Sequence, residues 1–310
     1  MNTDIASKLE IFADLDWAPL LDLAFREDRV CSDVTTLVCE DFLDGRIDPQ
    51  LTTEFALVSR ESGVFCGARL LEHLEKQHGW IFHSRLVDRD HVRAGTYLAE
   101  GRAPWAALLS QERTVLNLLQ MLSGVSTQTQ SYAKIIDEAY EAWPDDDKER
   151  FEKPRLYHTR KTLPGLRAFQ VYAAVVGGAD LHRLHLADRV MLKDNHKQIL
   201  EAQGLGFVDL VGWARSRPET ASDLWLIEVD SADEAMRLAA VGVKHLLLDN
   251  FSPALVREVL PALRSVESLE VSGGLRLETL ADYVIPGVKR LSVGALTHSA
   301  RSMDISMEFK

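Results

Sequence analysis

Residues 224–250 read Leu-Trp-Leu-Ile-Glu-Val-Asp-Ser-Ala-Asp-Glu-Ala-Met-Arg-Leu-Ala-Ala-Val-Gly-Val-Lys-His-Leu-Leu-Leu-Asp-Asn. An apolar run (224–229) is followed by a stretch of helical spacing (231–241) and by a second apolar run that ends on Asp249-Asn250. Short apolar runs bounded by polar residues read as strands, and apolar residues three and four apart read as a helix. The same rhythm extends in both directions. Strand-like runs begin near Leu156, Arg189, Leu224, Lys244, Ser268 and Arg290, and helical stretches occupy 165–176, 196–215, 231–241, 253–264 and 276–284. Strands alternating with helices imply right-handed βαβ crossovers and a parallel sheet. Six such units in series close, or nearly close, into a barrel. Spacing alone leaves an open doubly wound sheet available.

The first 125 residues or so are mixed. Residues 16–25 and 67–77 have helical spacing, and 54–60 and 80–87 read as strands. A longer helix runs from Pro104 to Met121, with Trp105, Leu108, Leu109, Val115, Leu116, Leu119 and Leu122 recurring at three and four. Ser123-Gly124 then punctuates it, and helical spacing resumes over 125–142. Residues 137–152 carry eight acids and two bases around Trp143-Pro144-Asp145-Asp146-Asp147, which reads as a solvated loop or frayed helix end.

Of 310 residues, 46% are hydrophobic and 26% charged, the balance of a folded chain rather than a disordered one. The length suits two domains, or one barrel with an elaboration. A formal net charge of −12 argues against a general nucleic-acid binder but not against an anionic small molecule, because a local basic cluster decides what a pocket holds. Cys31, Cys39 and Cys66 form no CxxC pair, so a disulfide framework or zinc knuckle is not expected. No basic stretch followed by an apolar one opens the sequence, and no apolar run approaches the ~18 residues that would span a bilayer. A cytoplasmic protein without membrane or nucleic-acid partners is the expectation.

Polar residues gather where the strands end. Thr159-Arg160-Lys161-Thr162 follows 156–158, and Lys193-Asp194-Asn195-His196 follows 189–192. Glu228 ends one run, Asp249-Asn250 the next, then Ser272-Gly273-Gly274 and finally Gly294-Ala295. The C-terminal strand edge is where parallel α/β barrels build their active sites. Singly, each has a plainer account as solvated surface, helix cap or turn; six on one rim do not. Between Arg155 and His196 stand seven Lys/Arg, three Asp/Glu and four His, a net +4 segment inside an acidic protein. Arg forks and Lys point charges there suit an anionic ligand. Glu228 and Asp249, at adjacent strand ends, suit Mg²⁺ held through water and substrate phosphates, or hydrogen bonds to sugar hydroxyls. The small residues closing the last two strands let backbone N–H groups approach a phosphate. A phosphosugar enzyme follows from this inventory; the reaction does not.

At these residues the sequence resembles quinolinate phosphoribosyltransferase, the carboxylating nicotinate-nucleotide pyrophosphorylase family. The resemblance is carried by Thr-Arg-Lys-Thr-Leu-Pro-Gly-Leu-Arg (159–167), Gly-Gly-Ala-Asp-Leu-His-Arg (177–183), Lys-Asp-Asn-His (193–196), Leu-Leu-Leu-Asp-Asn (246–250), Glu-Val-Ser-Gly-Gly-Leu (270–275) and Ser-Val-Gly-Ala-Leu-Thr-His-Ser (292–299). Upstream, Ser32-Asp33-Val34-Thr35-Thr36, Glu112-Arg113-Thr114-Val115-Leu116-Asn117 and Ser123-Gly124-Val125-Ser126-Thr127 fit in the same order. It implies an α/β fold with an N-terminal α/β sandwich domain (1–125, the tail 297–310 packing back) and an incomplete parallel α/β barrel (126–296) carrying the site. It also implies a homodimer with shared active sites, converting quinolinate and phosphoribosyl pyrophosphate to nicotinate mononucleotide, pyrophosphate and CO₂ in NAD biosynthesis, with Mg²⁺ and no organic cofactor.

By position, Arg113 of a second copy would meet a quinolinate carboxylate, Arg160, His182 and Arg183 would hold the pyridine dicarboxylate, and Thr159 would be a further substrate-binding residue. Lys161 and Lys193 would lie near both substrates, and Glu228 and Asp249 would bind ribose hydroxyls and Mg²⁺. Ser272, Gly273, Gly274 and Gly294 would frame a phosphate. The sequence departs from the family at Leu181 (usually Asn), Ala179 (usually Gly), Leu163 (usually small and polar) and Leu226 (usually acidic), and 143–155 resembles an insertion. Two other readings compete: a paralogue of the same fold associated with molybdate transport, which usually lacks the Lys-Asp-Asn-His block, and a Schiff-base phosphosugar aldolase using Lys161 or Lys193.

Overall fold

A computed structural model describes residues 3–44 and 51–310. The chain divides into two compact units, one formed by Met1–Gln130, Ala168–Gly178 and Ala300–Lys310, the other by Ser131–Arg167 and Ala179–Ser299.

In the first unit, strands β1 (Thr52–Ser59), β3 (Ile81–Arg85) and β5 (Tyr97–Pro104) join β12 (Ile305–Phe309) in an antiparallel sheet of order β12-β1-β5-β3. Strands β2 (Gly63–Val64) and β4 (His91–Val92) form a separate pair. Phe55 on β1 meets Trp80 edge-on at 5.0 Å between centroids, and helix Ala68–Gln77 buries Leu70, Leu71 and Leu74. The periodicity over 16–25 and 67–77 yields helices Ala18–Glu27 and Ala68–Gln77 as expected. Helix Arg167–Val176 has every residue from Phe169 onward buried. Its Phe169 and Tyr172 stack on Trp17 and Phe12 (4.8 and 5.7 Å), which explains why 168–178, in mid-sequence, belongs to this unit. The Tyr172 hydroxyl donates to Asp88, which also accepts from the Gly67 and Ala68 N–H groups.

The expected break at Ser123-Gly124 is absent: one helix runs unbroken from Trp105 to Glu141. The dipeptide serves packing instead. Ser123 is buried and its hydroxyl donates to the Cys66 carbonyl, while a Cβ at Gly124 would collide with the Arg301 carbonyl oxygen. Glycine weakens a helix by only about 1 kcal/mol, which the rest of a long helix tolerates.

In the second unit, β6 (Arg155–Tyr157), β7 (Met191–Leu192), β8 (Leu226–Val229), β9 (His245–Asp249), β10 (Ser268–Ser272) and β11 (Arg290–Ser292) form a parallel sheet of order β6-β11-β10-β9-β8-β7. From β7 to β11 each strand lies beside its predecessor, and β6 completes the order next to β11. On its other side, Tyr157 bridges in parallel to Asp180. The order never reverses, which excludes the doubly wound alternative; among the described residues no pairing joins Asp180 to β7, so the barrel is incomplete. Ile227, Leu246, Leu248, Leu269, Val271 and Leu291 form the buried apolar layer, alternating with residues that line a cavity.

Three sequence expectations need correction here. The helix expected over 196–215 is two, Asp194–Glu201 and Phe207–Arg215, separated at Gly204, whose φ of 73° lies in the left-handed region that glycine adopts without strain. Residues 276–284 form only a 3₁₀ turn, Leu280–Tyr283. The acids of the 137–152 run are solvated as expected, but part of it is helix rather than loop: Asp145–Arg150 is a short helix with three Asp in its first turn and basic residues in its last, matching the helix dipole. Trp143 beside it is buried and donates to the Val284 carbonyl at 3.0 Å.

Replacing Gly124 with alanine tests the packing role. In an open helix this change stabilises by up to about 1 kcal/mol; against a backbone carbonyl it costs about 1–3 kcal/mol. Thermal unfolding is expected to show a lowered Tm for Gly124→Ala, and a raised one would return Gly124 to an ordinary helix position.

Candidate active site

The C-terminal ends of the parallel strands surround a cavity of about 410 Å³ lined by His158, Thr159, Arg160, Lys161, His182, Arg183, Met191, Lys193, Glu228, Leu247, Asp249, Glu270, Ser272 and Ser292. A second cavity of about 300 Å³ shares Lys161, Ser272 and Ser292 with it and adds Gly273, Gly274, Gly294 and His298. The structure therefore brings together Thr159, Arg160, Lys161, His182, Arg183, Lys193, Glu228 and Asp249, and sets the glycines around the adjoining hollow. Arg113 is different: it lies exposed on helix Trp105–Glu141 in the first unit and is not among the residues lining either cavity.

The charges are distributed unevenly. Lys193 Nζ donates to Glu228 Oε2 at 2.6 Å, so this pair is internally compensated. Among the described residues, no ion pair is formed by Arg160, Lys161 or Arg183. The buried Nε of Arg160 has no hydrogen-bond partner. Burial and then the like charge of Arg160 hold the Arg183 guanidinium below its ordinary pKa. Two guanidiniums kept close, one with a buried unanswered donor, suit the binding of an anion.

Local sequence explains how these cations are held. Lys193 sits at the end of β7, where the next helix begins. Its backbone N–H donates to His196 Nδ1 at 3.0 Å and its carbonyl accepts from His196 N–H at 2.9 Å, so the histidine of Lys-Asp-Asn-His is a helix cap that fixes Lys193. Thr159 Oγ1 accepts from the Lys161 N–H at 3.1 Å, a turn that sends Arg160 and Lys161 toward the cavities.

Beneath them runs a chain of imidazoles ending on a buried acid. His158 Nε2 accepts from the His182 backbone N–H at 3.1 Å, so its proton is on Nδ1, which faces the Thr159 carbonyl at 3.1 Å. Burial pushes its pKa down to about 4. His182 Nδ1 accepts from the Arg183 N–H at 2.8 Å, leaving Nε2–H to face Glu270 Oε1 at 3.3 Å. Ser292 Oγ donates to the same oxygen at 2.6 Å. Glu270 has no exposed surface. Burial works to raise its pKa, yet the hydrogen bonds of His182 and Ser292 and the field of His182 and Arg290 prevail and hold it below the usual range.

Glu270, Ser292 and His158 were not among the residues selected from the sequence. Glu270 left one signal, a lone acid in an otherwise apolar alternation, Leu269-Glu270-Val271. His182, expected to bind a carboxylate, has both ring nitrogens engaged by the protein, so what it offers the cavity in this state is its ring.

Comparison with known proteins agrees with this geometry. Residues 33–123 match the quinolinate phosphoribosyl transferase N-terminal domain family, and residues 141–308 the corresponding C-terminal domain family. The chain is 34% identical over 299 residues to a probable nicotinate-nucleotide pyrophosphorylase [carboxylating] of Bacillus subtilis, covering 93% of this chain and 92% of that one. It is 37% identical over 262 residues to the nicotinate-nucleotide pyrophosphorylase [carboxylating] of Mycobacterium leprae, covering 82% and 85%. Among solved structures, NadC from Streptococcus pyogenes superposes with a TM-score of 0.76 at 29% identity, covering 95% of this chain and 97% of the other. The fold, the rim and these matches agree that the chain belongs to the quinolinate phosphoribosyltransferase family.

Proposed function

We propose that this enzyme joins quinolinate to the pentose of phosphoribosyl pyrophosphate and releases pyrophosphate and CO₂, forming nicotinate mononucleotide for NAD biosynthesis. The observation that carries the reading is the uncompensated cation group of Arg160, Lys161 and Arg183 facing Glu228 and Asp249 across one cavity, with the glycine-lined hollow adjoining.

The residues divide the work by charge. Arg160 and Arg183 receive the two carboxylates of quinolinate, whose oxygens give the otherwise unpartnered Arg160 Nε–H its acceptor. Held this way, the pyridine nitrogen is aimed at the anomeric carbon, an orientation effect. Its lone pair forms the new C–N bond as the bond from that carbon to pyrophosphate breaks, with the electron pair leaving on pyrophosphate oxygen. Lys161 and Lys193 stabilise the departing anion, and Glu228 and Asp249 favour the transient cationic sugar. The ring nitrogen is then positively charged. The carboxylate next to it departs as CO₂, its bonding pair remains on the ring carbon beside the cation, and a proton from water completes the product. No protein nucleophile takes part. The aldolase alternative leaves the Arg160–Arg183 pair without a purpose.

Among the described residues no group of three or more His, Cys, Asp and Glu could hold a metal by itself. The donor set of Glu228 and Asp249, two hard carboxylates, suits a cation that arrives with substrate phosphates and keeps waters. Mg²⁺ held there would add positive charge beside the leaving pyrophosphate. Arg113, exposed in the first unit, is assigned to the site of a second copy, making the working form a homodimer. Cytoplasmic action suits soluble polyanionic substrates, and no helix among the described residues is long and apolar enough to cross a membrane.

Pyrophosphate release from phosphoribosyl pyrophosphate is expected to require quinolinate, with nicotinate unable to replace it; equal turnover with nicotinate would reject the dicarboxylate assignment. Removing a charge-assisted contact worth about 1.5–3 kcal/mol is expected to raise the KM for quinolinate about 10–100-fold in Arg113→Ala. Mixing Arg113→Ala with Arg160→Ala chains is expected to recover activity in hybrid dimers, since one of their two sites then holds both arginines. Hybrids isolated by differential tagging that recover none would place Arg113 outside the partner's site.

A further inference from the structure

The two carboxylates that face the sugar end of the cavity are held in opposite ways. Glu228 is neutralised by Lys193, whereas Asp249 Oδ2 accepts from an uncharged donor, the Asn250 side-chain Nδ2, at 2.8 Å. Asn250 itself is in the left-handed region, at φ 58°, where glycine is the residue of least strain. Its backbone N–H donates to the Ser272 carbonyl at 2.9 Å, which ties the end of β9 to the end of β10. On the neighbouring loop, a Cβ at Gly273 would run into Asn250 Oδ1 and lie 2.7 Å from both its Cγ and its backbone nitrogen. Gly273 is itself in the left-handed region, at φ 88°, so the first glycine of Ser-Gly-Gly both suits its own backbone and clears the space in which the Asn250 amide stands.

We propose that Asn250 is the positioning residue for Asp249, and that Gly273 is glycine so that Asn250 can be placed. This rests on the reading of Asp249 as a group that favours the cationic sugar. An unheld carboxylate turns freely about its last torsion. An amide donor fixes one oxygen without cancelling the charge, so the second oxygen is presented to the cavity at full strength. A lysine in that place would fix the oxygen and remove the charge. A glycine would relieve the backbone and let the carboxylate turn. Asparagine orients Asp249, keeps its charge and tolerates the left-handed conformation.

Asn250→Gly separates this role from a structural one, because the substitution suits the backbone. The expected result is a Tm equal to or above that of the wild type, with kcat lowered at least 10-fold and the KM for quinolinate within twofold. A kcat within twofold of wild type in Asn250→Gly overturns the proposal. So does a kcat that falls only in step with Tm, which would make Asn250 part of the fold alone. The wild type is assayed first with quinolinate and phosphoribosyl pyrophosphate. If it makes no product, the substrate assignment fails on its own. The Asn250 proposal is then judged by titrating phosphoribosyl pyrophosphate into wild type and Asn250→Gly in a calorimeter: at least 10-fold weaker binding by the variant supports it, and equal binding, or none by either, overturns it.

Discussion

Parallel pairing in one register is the constraint on which the site depends. Asp249, Ser272 and Ser292 are successive partners across β9, β10 and β11, and Ser292 pairs in turn with Tyr157. One step below, Glu228, Leu247, Glu270 and Arg290 form a second row. Side chains along a strand alternate between faces, so both rows face inward while Leu246, Leu248, Leu269, Val271 and Leu291 form the buried apolar layer on the other face. A slip of one residue in β9 would exchange Asp249 for Leu248 and turn the apolar face of that strand into the cavity. The burial that stabilises the barrel therefore also fixes the register of the chemistry. No separate device is needed to align acids that come from strands some twenty residues apart.

The interior carries a cost that the outer layer must offset. A fully buried carboxylate loses several kcal/mol of solvation. Glu270 recovers part of it from Ser292 and the His182 ring, whose orientation is in turn fixed by the Arg183 N–H. The His182 backbone N–H rests on His158, which rests on the carbonyl of Thr159. The two cation-bearing segments, 159–161 and 182–183, are thus fastened to one acid through hydrogen bonds that leave the guanidinium charges unspent. Had Glu270 been within reach of Arg160 or Arg183 as a salt-bridge partner, it would have neutralised the pocket it supports.

The βα rhythm after residue 155 was legible because each strand is a short apolar run with a polar end, and the rim residues could be named because those polar ends recur. What stayed hidden depends on contacts distant in sequence. Ser123-Gly124 has the local appearance of a helix stop, and only the Arg301 backbone lying against Gly124 shows it to be a packing point. Gly273 looks like a phosphate-binding glycine whether or not Asn250 stands beside it. Glu270 and Ser292 are near in space because β10 and β11 pair in register, a relation that local periodicity does not contain. The four-residue turn Leu280–Tyr283 stands where apolar spacing suggested a helix, because spacing reports which residues are buried and not whether the backbone completes a further turn.

Electrostatics in the cavity favours one order of events. With Lys193 paired to Glu228 and one oxygen of Glu270 held by His182 and Ser292, the lining charges without an ionic partner among the described residues are the cations Arg160, Lys161 and Arg183 and the acid Asp249. Arg160 and Arg183 repel each other across a partly dry space, so any polyanion that enters relieves them and stabilises the folded chain by mass action. The acid contributes differently. In the proposed reaction, its charge disfavours anions near the sugar end until a positive centre, the pentose carbon as its bond to pyrophosphate lengthens, appears opposite it. Attraction that exists only at that moment lowers the barrier without tightening the resting complex. Neutralising Asp249 as Glu228 is neutralised would discard this difference, which is why the uncharged donor on Asn250 matters more than its modest hydrogen bond suggests.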